Sequence, residues 1–272
     1  MTIYSIDNPS GEMQEIPLDR ESRITIEAIT EMIIKKERSI EDISDDRNRI
    51  GTCFQSINHF LWTKKDQETP DIYLSNKPET KGCVKAAEQR FNPETKKFGV
   101  HPAQEVKSML MVDDNGKYHY FLMAGDKMLN EKRMAELGLK QADLTSDHLI
   151  AFTLNPATVM SCLQTKGVLP EDLTITIDPE LQQTQQRYLT NNFGSRMLSI
   201  TMEARHYLEY IHTTAQQYEF KITKTEDDKS FFVVDPNVKS TVPKSTVTKE
   251  EASSMQILNL LGDHHPRTYD HS

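Results

Sequence analysis

Apolar positions along the chain recur first at a helical period and later at a strand period, and the switches between them mark out the elements. Ile24, Ile26, Ile29, Met32, Ile33 and Ile34 lie at roughly helical spacing. They predict an amphipathic helix that starts at Asp19 or Ser22 and ends in the charged run Lys35-Lys36-Glu37-Arg38. A second helix is expected over residues 46–64, with Ile50, Phe54, Ile57, Phe60 and Leu61 as one stripe. His59 and Trp62 beside that stripe read as packing residues. Residues 1–17 show neither period and are expected to be irregular. Ile72-Tyr73-Leu74 reads as a short strand and residues 83–91 as a short helix, broken by Asn92-Pro93.

The centre of the chain carries the clearest strand pattern. Val106-Lys107-Ser108-Met109-Leu110-Met111-Val112 and Tyr118-His119-Tyr120-Phe121-Leu122-Met123-Ala124 flank an Asn115-Gly116 turn, which predicts a hairpin with a type I′ turn. Alternation puts Lys107 on the face of Met109 and Met111, opposite Val106, Leu110 and Val112. Both faces are apolar, so the strand should be covered on both sides with one cation at its mouth. Spacing alone also fits a lysine at a strand's start that snorkels to water.

Downstream, residues 124–127 are expected to turn, and a helix from Asn130 should stop at Gly138 as its C′ residue. A short helix capped by Thr145 or Ser146 should run to Phe152, followed by a loop of small and polar side chains over residues 155–161. Leu173-Thr174-Ile175-Thr176-Ile177 alternates as a strand. Residues 179–186 read as helix, 197–200 as strand and 202–211 as helix. A hairpin-like pair, 220–222 with 231–234, precedes a polar tail with one weak amphipathic piece at 250–261. The organisation expected is an N-terminal extension (1–45), a central domain (46–215), and a hairpin-like segment with a mobile tail (216–272). Helices and strands alternate without a strict βαβ rhythm. The fold class is therefore α/β, with a mixed, partly antiparallel twisted sheet flanked by helices.

Composition narrows the function classes. Of 272 residues, 36% are hydrophobic and the net charge is −9, which disfavours broad nucleic-acid affinity and any DNA partner. Residues 77–133 are locally basic, a surface that suits either a phosphate backbone or plain solvent. No apolar run of membrane-spanning length occurs, so no membrane partner is expected. Cys53, Cys83 and Cys162 fit reduced thiols and a cytoplasmic location. Phosphate-loop, dinucleotide, zinc-protease and nucleophile-elbow signatures are absent. His264, His265 and His271 fall in the polar tail, and no His is placed by sequence to activate Cys162.

The serial order of segments carries a resemblance. Val84-Lys85-Ala86-Ala87-Glu88 is followed by the Lys107 strand and by Phe121-Leu122-Met123-Ala124-Gly125-Asp126-Lys127. Met134-Ala135-Glu136-Leu137-Gly138-Leu139 and Asn155-Pro156-Ala157-Thr158-Val159 come next. Leu173-Thr174-Ile175-Thr176-Ile177-Asp178 and Ile200-Thr201-Met202-Glu203 complete the series. In order and spacing this resembles the YbaK/prolyl-tRNA deacylase family, which edits misacylated tRNA, over roughly half the chain.

The resemblance implies hydrolysis of the ester between an amino acid and the terminal ribose of tRNA, with the aminoacyl-tRNA acceptor end as partner and neither cofactor nor metal. Lys107 matches the family's functional lysine, and Ser108 follows it. The family's Gly-x-x-x-Pro substrate loop falls on Ala157-Thr158-Val159-Met160-Ser161, where both signature residues are replaced; Asn155 precedes it. A family histidine falls near Thr190. The expected substrate-binding set is therefore Ser108, Asn155, Ala157, Thr158, Val159, Ser161 and Thr190, with Lys107 catalytic. Such an ester needs an oriented water and a stabilised oxyanion rather than a side-chain nucleophile. The replaced loop, the acidic charge and the polar ends support a competing expectation. On that reading the chain is a catalytically degenerate module of the same fold, of the kind a secreted bacterial effector carries, with the N-terminal helix as a protein interface.

Overall fold

A computed structural model describes residues 2–6, 13–17, 40–64, 70–77, 82–142, 155–182, 188–222 and 229–242. The expected helices from Asp19 or Ser22 to Arg38, from Thr145 or Ser146 to Phe152, and over residues 250–261 lie outside the described residues. In chain order the elements begin with β1 (Thr2–Ile6), β2 (Met13–Pro17), α1 (Ile40–Thr63), β3 (Ile72–Asn76) and α2 (Cys83–Glu88). The small pair β4 (Phe91–Asn92) and β5 (Lys97–Phe98) precedes β6 (Val106–Val112), β7 (Tyr118–Ala124) and β8 (Lys127–Leu129). Then come α3 (Glu131–Glu136), β9 (Lys140–Gln141), α4 (Pro156–Thr165), β10 (Leu173–Ile177) and α5 (Pro179–Gln182). The series closes with β11 (Tyr188–Asn192), β12 (Leu198–Glu203), α6 (Ala204–Gln217) and β13 (Phe232–Val234).

The fold is α/β with mixed sheets flanked by helices. One sheet runs β11-β12-β3-β1-β2 and a second runs β10-β7-β6-β9. In each, one parallel pair (β1 with β3, β10 with β7) joins otherwise antiparallel neighbours. A parallel bridge between Glu105 and Thr190 stitches the start of β6 to β11, so the two sheets meet there. Helices α1, α4 and α6 pack on one another over this frame. The α1 stripe of Ile50, Phe54, Ile57 and Phe60 is fully buried, and Phe54 meets Phe193 edge-on at 5.0 Å. Burying one such phenylalanine stabilises the fold by about 1.5–3 kcal/mol.

The two-faced reading of β6 matches what forms. Val106 and Leu110 enter the main core, whereas Met111 joins a second core with Phe121, Met123, Leu129, Met134, Leu139 and Phe232, on which Met109 packs. The hairpin also forms, but not through a type I′ turn. Asp113 N–H and Lys117 C=O close a three-residue loop in which Gly116 (φ +83°) is left-handed and Asn115 is not. Asp113 Oδ1 accepts the Asn115 and Lys117 N–H groups at 2.8 and 2.9 Å. That side-chain turn replaces the positive φ at Asn115 that a type I′ turn requires.

Other expectations are corrected. Residues 2–6 and 13–17 are strands rather than irregular chain, paired with each other and through β1 to β3. Residues 127–129, expected within and after a turn, form β8. The segment 231–234 does not pair with 220–222: β13 pairs with β8, and Ile222 bridges Ile175. Residues 155–161 are not a loop. Asn155 caps α4 by accepting the Ala157 N–H at 3.0 Å, and Pro156 takes the first helical position, where a missing N–H costs nothing.

Candidate functional site

Where the two sheets meet, a cavity of about 500 Å³ opens. Lys107, second on β6, is half-buried on its wall, and its Nζ donates to the Lys127 carbonyl on β8. An ammonium carries three donors, so this bond fixes the side chain and leaves two for a ligand. Lys77, buried just after β3, also lines the cavity and donates to the Arg196 carbonyl, while Lys85 stands exposed on α2 at its rim. Gly125, in the turn between β7 and β8, lines it where a Cβ would come within 2.6 Å of the Pro102 carbonyl. Only a glycine lets that turn lie flat against the floor.

The acidic wall is built differently. Glu105 precedes β6 and pairs with fully buried Arg90 at 2.6 Å, and the same guanidinium nitrogen donates to Asn192 Oδ1 at 3.0 Å. Glu105 and Asn192 both line the cavity, so one buried arginine holds two of its walls. Asp235, from the chain after β13, supplies a second carboxylate. Cys83 lies between these groups. Burial pushes its thiol up to about 11 from 9.0; Glu105 and Asp235 add to the rise, and Lys107 and Arg90 oppose it. The thiol is therefore protonated at neutral pH and is a poor nucleophile. Alkylation of Cys83 by iodoacetamide, followed by peptide mass spectrometry, should be about 100-fold slower at pH 7.5 than for a free cysteine of pKa 9. It should rise about tenfold per pH unit up to about pH 10; a fast, pH-independent reaction would contradict the buried thiol.

The predicted residues divide sharply. Lys107 reaches the cavity. Ser108 points to the opposite face and is buried. Asn155 is fully buried and accepts the Tyr210 hydroxyl at 2.6 Å, and Thr158 shares a hydrogen bond with Cys53 Sγ at 3.3 Å. Ala157 and Val159 are buried in the main core, and Ser161 lies further along α4; none of these six residues lines the cavity. Thr190 is buried in mid-β11, donating to the Ile200 carbonyl and accepting the Thr201 hydroxyl, both at 3.0 Å. Sequence reasoning reached Lys77, Lys85 and Arg90 only as members of the locally basic stretch, and it missed Glu105, Asn192 and Asp235. Among the described residues, no group of His, Cys, Asp or Glu is arranged to hold a metal ion, and no helix is long and apolar enough to cross a membrane.

No family model matches the chain, and no curated protein matches its sequence. Solved structures do match. A candidate trans-editing enzyme for prolyl-tRNA synthetase aligns over 63% of this chain and 94% of its own, with 14% identity and a TM-score of 0.36. A hypothetical protein aligns over 58% of this chain and 94% of its own, with 16% identity and a TM-score of 0.35. A candidate signal transduction protein from Marinobacter aquaeolei VT8 aligns over 63% of this chain and 33% of its own, with 13% identity and a TM-score of 0.31. At these identities and scores the chain is similar to them in part of its backbone, and the matches assign it no activity.

Proposed function

We propose that the chain is an aminoacyl-tRNA ester hydrolase that acts in trans on mischarged tRNA. The observation that carries this reading is Lys107, held by the Lys127 carbonyl on the wall of a cavity of about 500 Å³ at the junction of two sheets. The cavity is large enough for an aminoacyl group and part of a ribose. In this reading the two remaining Lys107 donors meet the ester carbonyl as it becomes an oxyanion, and Lys85 at the rim meets the adjoining phosphate. Water is the nucleophile; the protonated Cys83 thiol is not. The donors come from side chains at the cavity, because the α4 segment matched to the family's substrate loop is buried in the core.

A panel of mischarged tRNAs tests the reading through release of the amino acid. Lys107→Ala is expected to lower hydrolysis of the favoured substrate at least about 100-fold, the scale of losing one oxyanion donor. No Lys107-dependent hydrolysis across the panel would sink it. A second reading, a binding module of the same fold, is favoured by the burial of Asn155, Ala157, Thr158 and Val159. It expects charged tRNA to be bound without being cleaved.

A further inference from the structure

The charges around the cavity are sorted by element. Lys107 comes from β6 and Lys85 from α2, whereas Asp235 comes from the segment after β13. Backbone bonds tie that segment down: β13 pairs with β8, Asp235 N–H donates to the Asp126 carbonyl at 2.9 Å, and Val238 N–H closes on the Asp235 carbonyl at 3.1 Å. The carboxylate is oriented as well, since Oδ1 accepts the Asn237 N–H at 2.9 Å. Glu105 is already matched to Arg90, whereas Asp235 enters no ion pair among the described residues. Lys107 and Asp235 act on the same thiol, Cys83, with opposite sign, so both charges lie within electrostatic reach of one point in the cavity.

A cavity lined by lysines from α2 and β6 and by an oriented carboxylate from the segment after β13 fits a ligand that carries both an anionic and a cationic group. We propose that Asp235 holds the ammonium group of the aminoacyl ligand while the lysines hold its carbonyl and phosphate side. The proposal rests on the aminoacyl-ester reading above and extends it. The segment after β13 becomes part of the site, and an aminoacyl group with its amine blocked becomes a poor ligand.

Calorimetric titration of the whole protein tests this with 3′-aminoacylamino-3′-deoxyadenosine 5′-monophosphates carrying alanine, serine or proline, in which an amide replaces the ester. Each is compared with its N-acetyl form at about pH 6.5, where an α-amino group of pKa near 7.7–8.0 is charged. The wild-type protein should bind at least one free-amine probe about tenfold or more tightly than its acetylated form. Asp235→Asn, which keeps an oxygen for the Asn237 N–H, should remove the difference. Lys107→Ala should weaken both forms and keep their ratio. A preference that survives in Asp235→Asn, or equal wild-type binding of both forms, overturns the role of Asp235 and leaves the hydrolase reading standing. Binding of none of the probes by the wild-type protein overturns both.

Discussion

Arg90→Ala is expected to cost about 3–5 kcal/mol of stability, read as a fall in the midpoint of urea unfolding at an unchanged slope. Arg90 is 0% exposed and Glu105 6% exposed, and their ion pair is 2.6 Å long. Truncating the arginine strands the nearly buried Glu105 carboxylate without its counter-charge, and leaves a void where the guanidinium was. Both effects have the same sign. The pair itself is not an efficient stabiliser. Arg90 Nε and Nη1 and Glu105 Oε2 find no hydrogen-bond partner among the described residues, so part of the desolvation cost goes uncompensated. Arg90→Met combined with Glu105→Gln should therefore recover part of the loss from Arg90→Ala, because it removes both charges together. If Arg90→Ala unfolds at the wild-type midpoint, the buried pair does not exist as described.

An incompletely satisfied ion pair persists more readily where it sets geometry. Arg90 holds Glu105, just before β6, and Asn192 on β11 with one nitrogen, at the place where the bridge from Glu105 to Thr190 joins the sheets. Those two residues are also walls of the cavity. The stability test and the functional reading thus meet in one residue, since loss of Arg90 should disorder the acidic wall before it touches Lys107.

What the sequence disclosed follows from the range of each interaction. The faces of β6, the turn at Gly116 and the stop at Gly138 depend on neighbours within a few residues, and each was readable from period or turn chemistry. Lys107 was readable for the same reason, as a lone cation on a strand with two apolar faces. By sequence Arg90 is one charge of a locally basic stretch, within a helix expected over residues 83–91, because its partners Glu105 and Asn192 lie 15 and 102 positions away. Asp235 falls between the expected hairpin-like segment and the polar tail and carries no signal of its own, because β13 finds β8 across about a hundred residues, and alternation does not specify a partner strand. One miss had a local remedy. Asn155-Pro156 is a helix-start signal, cap followed by proline at the first turn, and the small residues after it drew the reading toward a loop.

Gly194→Ala is expected to destabilise the protein by roughly 3 kcal/mol or more, the range of substitutions with a named backbone mechanism. Gly194 joins β11 to β12 at φ +73°, a conformation that itself disfavours a Cβ. A Cβ there would also lie 2.5 and 2.6 Å from the Ile50 N and Cα atoms and 2.7 Å from the Arg49 carbonyl carbon. Those atoms are helix backbone in α1 and have no rotamer by which to escape, so the loop or the helix must move. Neither moves freely. Arg49 Nε donates to the Gly194 carbonyl at 3.3 Å, Phe193 is locked edge-on against Phe54, and Asn192 accepts the buried Arg90. Displacement therefore propagates to the wall of the cavity, and ligand affinity should fall along with the unfolding midpoint. Gly51→Ala is the matched control in the same helix. Its Cβ would meet nothing within 4 Å among the described residues, and alanine there should raise stability by about 0.5–1 kcal/mol. Opposite shifts for the two glycine replacements in one series of urea melts would show that the contact with the β11–β12 connection, and not helix propensity, governs the middle of α1. Equal shifts would refute the close approach of the two segments.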